Sequence, residues 1–439
     1  MKHILGFFTI LLLPLLLSFA QSDSSVSSEC IWNLHFQQTI VTQYHPDFSA
    51  SYTGANSLKP SEPAQTSLTS TFFFGRRLWN GADVYFNAEL AGGSGLSGAT
   101  GIAGFSNGET FRIGDPSLRI ALARGYLKQV IALSDDRVEI TDGPNQFAGV
   151  LPASRISIAV GKFSIADYFD KNKFTNDPRS QFLNWALMNS GAWDYPADTR
   201  GYTWGIVLEY IQPKWAFRVS STLVPTEANK SEMDLNIHAA RSETAELEYA
   251  YQLADRKGIF RVLGSYTQAH MGNYQQAAAD TSDGIDIVKT RAYGRTKYGV
   301  ALNVEQQLSD FIGAFARASW NDGKNETWMF TEIDRAFAFG VLADGALWQK
   351  NEDRFGAAFV LNGISEDHRK YLQAGGYGFI IGDGHLNYSI EMIGEFFYSW
   401  SLIQGVVWLT PDYQFVVHPA YNRDRGPVHI FGVRVHTEF

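Results

Sequence analysis

Gly104-Phe105-Ser106-Asn107-Gly108 has the spacing of a nucleophile elbow, in which a tight strand-to-helix turn presents a serine to its histidine for acyl transfer. That chemistry needs a buried strand before the serine and a helix after it. Neither flank supplies one, so the spacing reads as chance in a glycine-rich loop. Gly93-Ser94-Gly95-Leu96-Ser97-Gly98 has dinucleotide-binding spacing and follows a strand-like segment, but a pyrophosphate needs a helix N-terminus directly afterwards. Gly101, Gly104, Asn107 and Gly108 break such a helix, and a flexible loop is the reading. His270, His385, His418 or His429 could act as the base of a barrel-embedded hydrolase, yet the 10 histidines are scattered and single out no triad. The single cysteine, Cys30, excludes an intramolecular disulfide and a cysteine zinc cluster, and no His-x-x-x-His helix or calcium loop is present. No metal, cofactor or catalytic residue is expected.

Between Asp167 and Tyr202 the chain sets Asp177-Pro178-Arg179, Gln181-Phe182-Leu183-Asn184-Trp185 and Trp193-Asp194-Tyr195-Pro196 in quick succession. A structureless stretch of this length is uncommon without a role. Paired donors and acceptors suit sugar hydroxyls, and aromatic faces suit the apolar face of a pyranose. The competing reading is that the aromatic residues only pack the loop against a wall.

The elements around this stretch alternate with period two, as strands do. Over Ala245 to Leu253, Ala245, Leu247, Tyr249, Tyr251 and Leu253 oppose Glu246, Glu248, Ala250 and Gln252. Tyr298, Val300, Leu302 and Val304 oppose Gly299, Ala301, Asn303 and Glu305, and Val84, Phe86, Ala88 and Leu90 oppose Asp83, Tyr85, Asn87 and Glu89. Apolar residues facing lipid and polar residues facing a lumen give a transmembrane β-barrel this signature. A secreted soluble sandwich also alternates and is the competing fold. Counting strands from Trp32 onward gives about 16, an even number that returns both ends to the periplasm. Pro213-Lys214, Ala254 to Gly258 and Ser309-Asp310 read as short periplasmic turns between longer external loops. Trp32, Trp204, Trp215, Trp320 and Trp408 fall near strand ends, where interface girdles place aromatic residues.

Lys2 and His3 lead into an apolar run from Ile4 to Leu17 closed by Ser18-Phe19-Ala20, which reads as a signal peptide over residues 1–20. Residues 21–439 are then expected to form a single barrel domain. After Ala20 no apolar run is long enough for a spanning helix, and only a closed barrel crosses a bilayer otherwise. A net charge of -9 without a basic stripe argues against nucleic acid as a partner. In the last strand Phe431, Val433, Val435 and Phe439 oppose Arg434, His436 and Glu438. Ending in Phe439, it resembles the terminal strand that bacterial outer-membrane proteins present to their insertion machinery, although Thr437 stands where an aromatic is common.

Several blocks are more specific still. Gly161-Lys162-Phe163-Ser164, Asn176-Asp177-Pro178-Arg179, the run from Gln181 to Met188, and Gly191-Ala192-Trp193-Asp194-Tyr195-Pro196-Ala197-Asp198-Thr199-Arg200-Gly201-Tyr202 resemble the carbohydrate-selective porins. Asp83 to Glu89, Gly92-Gly93, Gly95-Leu96-Ser97 and Pro225 to Asn229 are similar to the same family. The resemblance implies a 16-stranded, water-filled barrel in the outer membrane of a Gram-negative cell, with long external loops folded into the lumen. It implies passive passage of mono- and small oligosaccharides and contact with outer-membrane lipid. On this reading Asn87, Glu89, Arg124 and Lys162 face the lumen, while Arg112, Arg179, Trp193, Asp194 and Arg200 come from constricting loops. A general or anion-preferring diffusion porin is the alternative, and the barrel-embedded hydrolase a remoter one.

Overall fold

The computed structural model describes residues 31–109, 116–280 and 284–439, so the proposed signal segment 1–20, Cys30 and Arg112 lie outside the described residues. The chain opens with β1 (Trp32–Tyr44), β2 (Gln65–Trp79), β3 (Ala82–Gly93) and β4 (Arg119–Ala132). A separate hairpin, β5 (Arg137–Ile140) with β6 (Gly149–Pro152), follows. Then come β7 (Arg155–Phe163), β8 (Thr203–Ile211), β9 (Trp215–Thr222), β10 (Arg241–Leu253), β11 (Arg256–Ala269) and β12 (Arg295–Gln307). The last are β13 (Ile312–Asn321), β14 (Arg335–Asp344), β15 (Arg354–Gly363), β16 (Glu391–Ile403), β17 (Val407–Val417) and β18 (Val428–Glu438). All but β5 and β6 form one closed antiparallel barrel of 16 strands, as expected. Its seam joins β1 to β18 with Ile40 opposite Val435, so no strand edge is left along this line.

Exposure runs opposite to that of a soluble protein. On β10, Leu247 and Tyr249 are 48% and 50% exposed while Glu246, next to Leu247, is 1% exposed. Phe217, Val300, Phe359 and Phe431 face outward in the same way, and Arg218, Asn303, Asn362 and Arg434 face inward. Because the ring is closed and its outer belt is apolar, the sandwich alternative falls away. Trp32, Trp204, Trp215 and Trp320 stand in the exposed belt near strand ends.

Antiparallel order sorts the connections to two rims. At one rim they are short: residues 212–214 and 308–311, and the two-residue Ala254-Asp255 turn, whose φ values of 50° and 59° match the twist of a tight hairpin. Residues 345–353 are longer, and residues 133–154, which carry β5 and β6 and which the expectation of short turns did not foresee, are the longest at this rim. The other rim carries the long connections, with short helices α1 (Trp185–Met188), α2 (Tyr274–Ala279) and α3 (Glu366–Gln373). A 16-stranded ring is wide enough to leave an aqueous channel. Here loops from the long-loop rim fill much of it, since residues 101–107 and 181–187 are buried throughout.

Candidate functional site

The site is built by residues 164–202, which leave β7 and turn inward. Wall side chains hold this loop by its backbone. Glu395 of β16 accepts the N–H groups of Leu183 and Asn184 at 2.5 and 2.9 Å. Glu246 of β10 accepts that of Asp170, and Glu305 of β12 that of Lys173, both at 2.7 Å. Cations do the converse: Arg317 of β13 donates to the carbonyls of Leu187, Asp170 and Thr175, and Arg434 of β18 to those of Pro178 and Gln181. Irregular backbone inside a barrel has no ladder to join, so these charged wall groups satisfy it.

Residues 94–109 pack beside this loop. Trp185 N–H donates to Phe105 O at 3.0 Å, Gly108 N–H to Leu183 O at 2.7 Å, and the Phe105 and Trp185 rings stack 4.9 Å apart. Glu391 accepts the N–H groups of Ala103 and Gly104. The supposed elbow is therefore a packed segment in which Ser106 Oγ donates to Gln43 Oε1 at 2.7 Å. Within Gly93 to Gly98, expected as a flexible loop, Gly93 closes β3 and Leu96–Gly98 form a 3-10 turn, with Ser97 N–H donating to Glu62.

Between these loops and the wall formed by β1–β4 and β7–β9 lies a cavity of about 610 Å³. Ligand pockets for small solutes commonly span roughly 300–1,000 Å³. Arg179 stands in it, held by Glu109 at 3.0 Å and Glu89 at 3.5 Å. Burial works against its charge, but Glu109, Asp177 and Glu89 outweigh burial and keep its pKa above that of a free guanidinium. Arg124 makes a two-point bond to Asp167, both contacts 2.6 Å. Tyr202 donates to Glu89 at 2.8 Å and lies under the Arg124 guanidinium, 5.3 Å from its ring centre. Trp185 and Tyr195, stacked 5.6 Å apart, complete the lining on the loop side.

The β5–β6 hairpin closes the cavity toward the short-turn rim, lining it with Ile140, Pro144, Asn145, Gln146 and Leu151. Asn33 Nδ2 donates to Asp142, Gly143 O and Gln146 O at 3.0–3.1 Å, and His35 Nε2 lies 3.0 Å from Asp142. Arg77 bonds Ala148 O and covers the Phe147 ring.

Of the residues singled out by sequence, Glu89, Arg124, Arg179 and Arg200 line this cavity. Asn87 points inward from β3 but is fully buried and is not part of the lining. Lys162 pairs with Asp198 at 3.1 Å, and Asp198 in turn accepts the N–H groups of Arg200 and Tyr202, so this pair shapes the loop's return to the wall. Trp193 is packed away beside Tyr195. Asp194 ties two loops together, accepting the N–H groups of Trp328, Met329 and Phe330 at 2.9, 3.1 and 3.0 Å. Sequence reasoning missed Glu109, Asp167 and the hairpin. Trp185, Tyr195 and Tyr202 stood in the flagged blocks without being singled out.

Residues 75–439 match the family described as carbohydrate-selective porin, OprB family. Porin AaxA of Chlamydia felis is 22% identical over 296 residues, 66% of this chain and 55% of that protein, and Porin AaxA of Chlamydia abortus is 22% identical over 302 residues. The match thus spans about half the length of these curated relatives. Among solved structures, the high-pH form of Pseudomonas putida OprB superposes with a TM-score of 0.68 at 14% identity, covering 93% of this chain and 94% of that one. The outer membrane channel DcaP of Acinetobacter baumannii gives 0.51 at 12% identity, over 95% of this chain and 100% of that one. At such identities the likeness is one of fold. With its closed 16-stranded ring, apolar outer belt and match over residues 75–439, the chain belongs to the carbohydrate-selective porin, OprB family, and is an outer-membrane barrel.

Proposed function

We propose that the barrel passes small neutral carbohydrates passively through the cavity beside the 164–202 loop. The observation that carries this is the lining itself: Arg179, clamped by Glu89 and Glu109, shares one cavity with the Trp185 and Tyr195 rings. A clamped guanidinium presents a fixed fork of donors to adjacent hydroxyls, its carboxylates accept in return, and the rings take the apolar sugar face. Arg124 with Asp167, and Arg200, extend this polar track. Such contacts must stay weak, because a tight site would block flux.

A channel rather than a hydrolase fits Ser106, whose hydroxyl is engaged by Gln43. The outer belt contacts outer-membrane lipid, and β18 with Phe439 serves as the segment handed to the insertion machinery. Swelling of liposomes containing the purified barrel tests the reading. Glucose and a disaccharide should enter faster than amino acids of similar size. Rates set by size alone would leave a general diffusion porin, and no swelling would remove the channel reading.

A further inference from the structure

Three cations in the cavity are paired with carboxylates: Arg124 with Asp167, Arg179 with Glu89 and Glu109, Arg218 with Glu209 and Glu246. Three are not. Lys128 near the end of β4, Arg155 at the start of β7 and Lys171 of the inserted loop have no ion-pair partner among the described residues. Arg155 bonds only the neutral carbonyl of Pro152, at 2.9 Å. Asp83, opposite Lys128 on β3, is beyond ion-pair distance. Lys171 is exposed to the lumen, and Lys128 and Arg155 are half-buried. The carboxylate they share electrostatically is Glu209, whose Oε1 is already taken by Arg218 at 3.0 Å, while Asp83 also faces Lys128 and the Arg124-bound Asp167 also faces Lys171. Strand direction places Lys128, Arg155 and Glu209 toward the short-turn rim, beneath the Arg179 clamp and above the β5–β6 hairpin.

We propose that Lys128, Arg155 and Lys171 form an anion subsite, and that the pore favours monosaccharides carrying one acidic group, the hydroxyls meeting the Arg179 clamp and the anion meeting these three cations. This rests on the reading of the cavity as a carbohydrate path. A positive wall in a narrow, low-dielectric passage raises the local concentration of an anion without a tight contact. Carboxylate and phosphate share the required chemistry.

The test is uptake of labelled glucose, gluconate and glucose 6-phosphate into liposomes containing the full barrel. Wild-type protein should admit at least one of the two anions severalfold faster than glucose, and which one does so names the acidic group. Lys128→Gln/Arg155→Gln/Lys171→Gln should erase that advantage and leave glucose uptake unchanged. Lys171→Gln alone, at an exposed position, should lower it in part and shift the reversal potential in a KCl gradient toward the cation. Glucose entering as fast as both anions, or an anion advantage that survives all three substitutions, overturns the subsite while the carbohydrate path stands. Failure of all three solutes to enter overturns both.

Discussion

Asn184, in the inserted loop, donates its backbone N–H to the Glu395 carboxylate at 2.9 Å, across 211 residues of sequence. The neighbouring Leu183 N–H uses the other oxygen of the same group. Glu391 with Ala103 and Gly104 repeats the arrangement for the second loop, and Glu332, itself a loop residue, accepts the Ile380 and Ile381 N–H groups on one oxygen. Inward acids on this barrel thus divide between fastening backbone, as Glu391 and Glu395 do, and facing the cavity, as Glu89 does.

Replacing Glu395 with Ala leaves two buried N–H groups without acceptors, a cost of about 1–3 kcal/mol each. The 164–202 loop should loosen while the ring persists. Single-channel recordings in planar bilayers should show a larger and noisier conductance, with heat-modifiable mobility on gels retained. A conductance trace like that of wild type would show that Glu395 does not hold the loop.

Arg179→Gln removes the cation between Glu89 and Glu109 and leaves two carboxylates in the cavity. The reversal potential should move toward the cation. Block of ion current by glucose should weaken roughly threefold to tenfold, equivalent to about 0.6–1.4 kcal/mol. Undiminished block would place the sugar contact elsewhere.

Trp193 and Arg200 should part company. Arg200→Ala trims a cavity-lining side chain and should raise conductance with the fold intact. Trp193→Ala empties a packed position, costing about 3–5 kcal/mol, and should appear first as a lower unfolding temperature.

Glu332, in the loop before β14, is buried, and burial pushes its carboxyl up to about 7 although the His368 charge and the Ile380 and Ile381 N–H groups pull the other way. A folded-state pKa above the ordinary 4.5 makes this group's contribution to loop stability complete below pH 4.5 and lost as pH rises through 7, a change of roughly 3 kcal/mol. Limited proteolysis within residues 364–390 should therefore be faster at pH 8.5 than at pH 5.5. Glu332→Gln, which keeps an oxygen for both N–H groups without a titrating proton, should flatten the difference. Equal cleavage of wild type at both pH values would contradict it.

Replacing residues 137–152 with a short turn removes the hairpin lining supplied by Ile140, Pro144, Asn145, Gln146 and Leu151. Conductance should rise and larger saccharides should enter liposomes. If the size limit stays where it was, the constriction lies wholly with the loops from the other rim.

The ring was readable because alternation is local: Leu247 and Glu246 announce opposite faces from adjacent positions. Loss of alternation after Phe163 and its return at Thr203 likewise marked the inserted loop. Which of its aromatic residues reach solute was not readable. Trp185 and Trp193 share the loop, and their fates are set by distant partners, Phe105 for the one and, for the neighbour of the other, the Trp328 to Phe330 backbone bonded to Asp194. Glu109 and Asp167 carry no local signal beyond their charge, since only the fold brings them to Arg179 and Arg124. The hairpin went unforeseen because β5 and β6 are four residues each, too short to stand out by periodicity.

Five side chains that hold the backbone of the 164–202 loop, Glu246, Glu305, Arg317, Glu395 and Arg434, sit on β10, β12, β13, β16 and β18, all of which follow it in the chain. Arg434, which holds Pro178 and Gln181, lies 256 and 253 residues downstream of them. Closing contacts of such sequence separation comes late, after their connecting chain has been ordered. The near wall, through Arg124 on Asp167 and Lys162 on Asp198, can hold the loop from the start, but the far wall takes its backbone only as β10 to β18 are added, and the bore of the mature pore is set last, when β18 completes the seam.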